Sequence, residues 1–416
     1  MPAEPHQPLP PELASIQSRE PREALNVILE HAAKAEASDL FIQPNGNHYT
    51  IAYRQMGMVC PMVVISNEQG MSLVNLIKSS AGLDLAERRH PLDGRWRYPI
   101  GEASYDFRIN TIGTHYGEDL VMRLLATGGD SLKLDSLGLI GNQASDLRAI
   151  LKSGSGLALV TGPVGAGKST TLYACLNTLN DGSRMIITLE DPIEKLIKGI
   201  RQCQVLPKIG IGFVELLRGV LRQSPDVIMI GEIRDEETAD TAVRAASSGH
   251  LVLATLHSPM AAGAVQSMLA FGVNPYFLAN SLVGVVAQQL VRRLSPTSRK
   301  AYDVSHSPET FSDVKQYLQP GEGNVIYGPD SNDPDSRGGY VGQTGLFEVL
   351  TVNRKLKNLI ADRASSAEIH RAALERGMLD FSRAAMLKTA QGITGIEDIG
   401  RLIPAIELDD YGHDTA

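Results

Sequence analysis

The stretch Gly162-Pro163-Val164-Gly165-Ala166-Gly167-Lys168-Ser169-Thr170 decides the fold: it is a G-x-x-x-x-G-K-S sequence set between the apolar run 157–160 and the helix-like segment 170–179. A strand, a glycine-rich turn and a helix in that order gather backbone N–H groups and a helix N-terminus around one point, which favours a bound anion. Lys168 would reach the outer phosphates of a nucleoside triphosphate, and Ser169 would offer its hydroxyl to a magnesium ion. The competing reading is a glycine-rich turn that only joins a strand to a helix; the full spacing and both flanks argue against it. Gly162 to Thr170 is therefore taken as the nucleotide-binding segment.

Outward from this loop the pattern is an alternation. Residues 157–161, 185–189, 227–230 and 251–255 are each continuously apolar, as strands buried on both faces of a parallel sheet must be. Helical patterns separate them; residues 237–248 form one, with Asp235, Glu236 and Glu237 at its first turn and Gly249 at its end. In such sheets chemistry collects at the carboxyl ends of the strands, where the phosphate loop, Glu190-Asp191, Gly231-Glu232 and His257 all fall. Glu232 follows a buried strand and is the candidate to polarise the attacking water, with Gly231 standing where a metal-linked Asp is usual. Its alternative is a structural salt bridge to Arg234. Glu190 and Asp191, ahead of Pro192, are candidates to order the metal's water shell, against a plain polar loop start. His257 and His250 bracket the run 251–256, and His257 is placed to touch a γ-phosphate or the catalytic acid. For each the competing reading is a satisfied core or edge histidine.

The chain of 416 residues has room for two or three domains. Six of its 22 prolines fall in residues 1–21, which read as a flexible tail with little to bury. Residues 22–126 read as a compact α+β domain: Leu25, Ile28, Leu29, Ala32 and Ala33 share a helical face, 68–80 is a second helix, and 39–43, 50–53, 103–109 and 119–125 are strand-like. A linker, 127–140, contains the hinge-like Gly128-Gly129-Asp130-Ser131. The α/β core is then 141–294, a loop-rich module with the run Asp330 to Asp335 spans 295–350, short helices fill 351–402, and 403–416 is a tail.

The net charge of −8 gives no global case for wrapping nucleic acid, which is not an expected partner. Cys60, Cys175 and Cys203 lie far apart and read as free thiols of a reducing compartment. No apolar run approaches the roughly 20 residues that span a bilayer, and no basic-then-apolar leader opens the chain. A soluble cytoplasmic protein with peripheral membrane contact is expected. Arg95, Arg108 and Arg123 are available in the first domain to stabilise charge at a site outside it, although each alone reads as a surface charge.

Four segments in order, G-P-V-G-A-G-K-S-T (162–170), I-T-L-E-D-P-I-E (187–194), L-R-Q-S-P-D-V-I-M-I-G-E-I-R-D (221–235) and S-G-H-L-V-L-A-T-L-H-S (248–258), resemble the Walker A, Asp box, Walker B and His box of the secretion ATPases of type II secretion, type IV pilus assembly and DNA-uptake pseudopili. The likeness covers about residues 22–402. It implies ATP and magnesium as ligands, functional positions for Lys168, Ser169, Glu190, Asp191, Glu232, His250 and His257, and a Walker B segment that lacks its Asp throughout the family. A-S-D-L-F-I-Q-P (37–44), 81–95, Y-D-F-R-I-N-T (105–111) and G-E-D-L-V-M-R-L-L (117–125) look like the PAS-like domain that precedes the RecA-like motor, and Arg95, Arg108 and Arg123 match its interface arginines. The resemblance further implies a homo-hexamer sharing active sites between subunits, peripheral at the inner face of the inner membrane, with a polytopic platform protein as partner.

Two departures stand out. Ser295-Pro296-Thr297-Ser298 replaces the start of the usual paired Cys-x-x-Cys motifs and no cysteine follows Cys203, so no structural zinc is expected, although G-G-Y-V-G-Q-T-G-L-F-E-V-L (338–350) remains family-like. The longer N-terminal recruitment domain of many relatives is also missing from the pattern. The expectation is an assembly motor for a pilus or pseudopilus; a retraction motor, a DNA-directed motor and a non-catalytic, nucleotide-stabilised scaffold are the alternatives.

Overall fold

The computed structural model describes residues 13, 15–101, 103–127, 132–333 and 336–402. The expected hinge 128–131, the tail 403–416, residues 1–12 and 14, Glu102, and Pro334 and Asp335 lie outside these residues. The chain divides into two compact units, 1–130 and 131–416.

Among the described residues the first unit is built on one antiparallel sheet covered by two longer helices, preceded by a single 3-10 turn, Ile16–Ser18. Helix α1 (Pro21–Lys34) and strands β1 (Asp39–Pro44), β2 (His48–Gln55) and β3 (Met58–Ser66) lead to helix α2 (Asn67–Ser80) and strands β4 (Leu92–Ile100), β5 (Ala103–Thr114) and β6 (Gly117–Thr127). The sheet order is β3-β2-β1-β6-β5-β4. Pro21 opens α1 where its missing N–H is harmless, and Ser66 caps α2 by accepting from the Gln69 amide. One apolar face packs on the helices: Leu40, Ile42, Ile51, Phe107, Leu120 and Met122 join Leu25, Ile28, Leu73 and Ile77 in a single core. Gly70, in the middle of α2, is required by close approach, because a Cβ there would lie 2.2 Å from the Tyr49 ring.

Two expectations for this unit need correction. The segment ahead of α1 does bury surface: Leu13 and Ile16 belong to the core, and Gln69 Nε2 donates to the Ile16 carbonyl at 2.6 Å. The proline count of the tail masked these two apolar residues. Strands β3 and β4 were not foreseen either, because their alternation is interrupted by Pro61 in one and rests on Trp96, Tyr98 and Ile100 set among Arg95, Arg97 and Pro99 in the other.

The second unit opens with α3 (Gln143–Leu151), β7 (Gly156–Thr161), α4 (Lys168–Leu179), β8 (Ile186–Glu190) and β9 (Arg201–Gln204). It continues through α5 (Phe213–Val220), β10 (Val227–Ile230), α6 (Glu236–Ser247), β11 (Leu251–Leu256), α7 (Ala261–Ala270), α8 (Pro275–Ser281) and β12 (Leu282–Leu294). Strands β13 (Lys300–Asp303), β14 (Val325–Gly328) and β15 (Tyr340–Thr351) precede helices α9 (Arg354–Ala361), α10 (Ser366–Leu374), α11 (Phe381–Ala390) and α12 (Ile396–Leu402).

A seven-stranded sheet, ordered β15-β12-β7-β11-β10-β8-β9, forms the centre. All its pairings are parallel except β12 with β15. Its two faces are two cores. Leu157, Leu159, Ile187, Ile228, Ile230, Val252 and Ala254 point to one, while Ala158, Val160, Ile186, Val227, Met229, Leu251 and Leu253 point to the other. That alternation within continuously apolar strands is why the runs read as buried on both sides.

The sheet also crosses the expected boundary at 294/295. β15 belongs to the loop-rich stretch by sequence but pairs along β12 from Gly284↔Thr351 to Leu294↔Tyr340. Two guanidinium–ring contacts brace this region, Arg292 of β12 over Tyr340 of β15 at 3.8 Å and Arg299 over Tyr327 of β14 at 4.0 Å. Arg292 also bonds the buried Asp398 of α12 at 2.9 Å through Nε.

Candidate active site

The phosphate loop leaves β7 at Thr161 and enters α4 at Lys168, with Gly162, Gly165 and Gly167 all at positive φ. Two of these glycines are required for different reasons. A Cβ on Gly162 would meet the Gln288 carbonyl at 2.3 Å, whereas Gly165 faces open space, with no atom within 4 Å of where its Cβ would be. The loop thus packs against β12 on one side and presents bare backbone on the other. Gln288 holds it further, its Nε2 donating to the Ala166 carbonyl at 2.6 Å from a side chain that is 1% exposed. Pro163 and Val164 form the exposed tip, and Ser169 and Thr170 follow Lys168 on the first turn of α4.

Lys168 Nζ donates to the carbonyls of Gly162 at 2.8 Å and Pro163 at 3.0 Å, and lies 3.4 Å from His257 Nδ1. Burial lowers its pKa, and the nearby Glu232 charge opposes that shift. No carboxylate lies within ion-pair distance of this ammonium among the described residues, so the strand–turn–helix cradle holds a cation without a direct anionic partner. Bare loop backbone, a helix N-terminus and this ammonium fit the phosphates of a magnesium nucleotide.

Glu232 sits beyond β10, on a turn stitched to both neighbours: Gly231 N–H donates to the Leu189 carbonyl at 2.7 Å, Thr255 Oγ1 to the Gly231 carbonyl at 2.5 Å, and Ile233 N–H to the Thr255 carbonyl at 2.9 Å. Its carboxylate is gripped from two directions. Arg234 donates to Oε2 through Nε at 2.7 Å and Nη2 at 2.6 Å, and His257 Nε2 lies 2.5 Å from Oε1. Burial pushes the Glu232 pKa up, but Arg234 and then His257 more than reverse this, leaving it below the ordinary carboxylate value. The tautomer that satisfies both contacts of His257 is neutral, with N–H at Nε2 toward Glu232 and a lone pair at Nδ1 toward Lys168. The salt bridge to Arg234, weighed above as an alternative to catalysis, is present in addition to the His257 contact.

Thr161 completes the floor, accepting from the Ser258 amide at 2.8 Å and donating to the Ser258 carbonyl at 2.9 Å, which ties β7 to the turn after His257.

The remaining expected residues fall in different places. Glu190 is 4% exposed and fully engaged: Tyr173 Oη donates to Oε2 at 2.5 Å, and Thr188 Oγ1 and Gln202 Nε2 donate to Oε1 at 2.5 and 2.9 Å. It clamps α4 to the outer strands, so of the Glu190-Asp191 pair it is the exposed Asp191 that is free to meet a metal's water shell. His250 lies at the amino end of β11, with Nδ1 2.9 Å from the Ala245 carbonyl; the six-residue strand separates it from His257 by about 20 Å. The structure therefore does not bring His250 to this phosphate loop. Gln288, Thr161 and Tyr173 were not foreseen, because a Gln within an apolar run, a strand-end Thr and a helical Tyr carry no motif.

In the first unit, Arg95, Arg108 and Arg123 form one line. The registers Arg95↔Arg108 and Arg108↔Arg123 place them on neighbouring strands β4, β5 and β6, opposite the face that packs on the helices.

A sheet-end phosphate loop with a carboxylate poised on the turn two strands away, bridged by His257 from the strand between, defines a P-loop nucleoside triphosphatase. Residues 17–401 match the family described as type II/IV secretion system protein. The Type II secretion system ATPase E of Vibrio cholerae is 40% identical over 380 residues, which is 91% of this chain and 74% of that protein. The Type IV pilus assembly ATPase PilB of Pseudomonas aeruginosa is 37% identical over 91% of this chain and 66% of its own length. Among solved structures, the Legionella pneumophila ATPase DotB matches with a TM-score of 0.67 at 21% identity, covering 97% of this chain and 98% of DotB. The pilus retraction motor PilT matches at 0.60 and 23% identity, over 93% and 99%. The chain belongs to the type II/IV secretion system protein family and is an ATP-hydrolysing enzyme.

Proposed function

We propose that this protein is a motor in which ATP hydrolysis at the Lys168–Glu232 site drives assembly of a pilus or pseudopilus. The observation that carries the catalytic reading is the chain of contacts Lys168–His257–Glu232–Arg234 at the carboxyl ends of adjacent strands. Loop amides and Lys168 bind the phosphates, while Ser169, with Asp191 through water, would hold magnesium, which supplies charge neutralisation at the β- and γ-oxygens. Glu232, kept ionised by Arg234 and His257, orients the attacking water and accepts its hydrogen bond. His257 fixes the carboxylate's direction and links it to the lysine on the phosphates, so that loss of the γ-phosphate is felt at both.

Three further elements belong to this reading. The first unit is a PAS-like domain and the second a RecA-like motor. The working form is a homo-hexamer in which Arg95, Arg108 and Arg123 approach a neighbour's nucleotide. It acts at the cytoplasmic face of the inner membrane on a polytopic platform protein, without zinc and without nucleic acid; among the described residues no helix is long and apolar enough to cross a membrane itself. Assembly is favoured because relatives at 36–40% identity are named secretion and pilus-assembly ATPases.

ATPase assays of Lys168→Ala and Glu232→Gln test the site: both lose turnover, and unchanged turnover in both rejects it. Deletion in the native host tests direction, with absent filaments expected and excess filaments refuting assembly in favour of retraction.

A further inference from the structure

Asp39, in the A-S-D-L-F-I-Q-P segment, has been given no role above, yet it sits within a charged line on the first unit's sheet. The registers Arg54↔Asp39↔Arg123↔Arg108↔Arg95 run across five adjacent strands, β2, β1, β6, β5 and β4. Directly opposed side chains on neighbouring antiparallel strands stand about 5 Å apart, and like charges so placed destabilise the sheet. Three consecutive arginines in register therefore repel one another across the sheet. Asp39 is the one carboxylate in the line. It is 7% exposed, accepts from Arg123 Nε at 3.1 Å on Oδ1, faces Arg54 Nε at 3.4 Å on Oδ2, and is oriented by Ser38 Oγ, which donates to Oδ2 at 2.8 Å. Arg54 is braced on its other side by the Phe41 ring, 5.4 Å from Cζ.

This arrangement is asymmetric. A guanidinium has a fork of donors, and Asp39 engages only the Nε edge of Arg123, whose side chain is 54% exposed. The register continues the line from Arg123 to Arg108 on β5 and Arg95 on β4.

We infer that Asp39 is a positioning residue for Arg123: it fixes the guanidinium by its inner edge so that the outer edge, together with Arg108 and Arg95, forms a pre-set anion clamp for the phosphates of a nucleotide held by a second copy of this chain. The inference rests on the shared-site reading given above and adds the residue that presets the clamp. A guanidinium held before the anion arrives loses less rotamer freedom when charge develops in the transition state, so the effect falls on kcat rather than KM.

The test uses the full chain carrying Asp39→Asn, which keeps shape and removes charge. Expected is a kcat about tenfold lower with little change in KM, the scale of one charge-assisted hydrogen bond lost from the transition state. Co-assembly of D39N with K168A subunits separates trans from cis. K168A subunits contribute an intact arginine line and D39N subunits an intact phosphate loop, so mixed rings regain turnover above either parent. Arg123→Ala runs in parallel. If R123A with K168A fails to complement, the shared-site reading itself falls; if R123A complements while D39N keeps wild-type turnover or fails to complement, the assignment of Asp39 is overturned. Should D39N not fold, Ser38→Ala, which removes only the hydroxyl that orients the carboxylate, carries the same comparison.

Discussion

Lys388 offers the most quantitative test of how the second unit is built. It lies on α11 at 1% exposure, donates from Nζ to Thr344 Oγ1 at 2.8 Å, and is pulled by burial from 10.5 to about 7. Between about pH 7 and 10.5 the unfolded chain therefore holds a proton that the folded chain has shed, so stability rises with pH across that window. At about 1.4 kcal/mol per pH unit, the fall from 10.5 to about 7 is worth about 5 kcal/mol, lost in full below pH 7 and recovered above 10.5. Lys388→Met keeps the buried stem and removes the titration, at the expense of a hydrogen bond worth about 1 kcal/mol at any pH. The variant should be more stable than the wild type by about 4 kcal/mol at pH 6, and the difference should shrink and change sign as pH approaches 10.5. Urea unfolding followed by far-UV circular dichroism from pH 6 to 10 measures it. Trp96, the one tryptophan, lies in the first unit, so its fluorescence transition is an internal control that should not move. A variant-minus-wild-type difference that is flat in pH, or a variant less stable at pH 6, would refute the reasoning.

Three other outcomes follow from contacts at the site. Arg234→Gln removes the main force holding Glu232 below its ordinary range, so the acid limb of the ATPase pH profile should move to higher pH, and an unmoved limb would separate Arg234 from Glu232's chemistry. Gln288→Ala frees the Ala166 carbonyl from its tether to β12 and should weaken ATP binding about fivefold by calorimetry, the equivalent of about 1 kcal/mol of hydrogen bond. Tyr173→Phe strips a 2.5 Å donor from buried Glu190 and should destabilise the second unit by about 2 kcal/mol while leaving nucleotide affinity near wild type. A matching loss of affinity would instead put Glu190 in the binding site.

Much of the sheet was legible because strands buried on both sides have no choice of composition: Leu157 to Thr161, Val227 to Ile230 and Leu251 to Leu256 announce themselves. The phosphate loop was legible because glycine is obligatory where backbone meets backbone, as at Gly162. What escaped was set by pairing rather than by pattern. Strand β15 reads as loop because Gly342 and Gly345 interrupt it, yet β12 supplies a full ladder. Asp39 and Arg123 stand 84 positions apart, and only register makes them neighbours. Glu190 and Glu232 look alike at strand ends; burial by three donors separates one from the other, and no spacing rule carries that information.

Strand β12 has one consequence for how force leaves the site. Thirteen residues at about 3.3 Å each make a member about 40 Å long, touching the phosphate loop through Gln288 near its middle and clasped at its far end by Tyr340 and Asp398 through Arg292. Paired to β7 as far as Ala287 and to β15 from Gly284 to Leu294, this backbone resists stretching far better than the loops around it. A sub-ångström recoil of the loop would travel along this girder undiminished and reach the carboxyl-terminal helices as a pull.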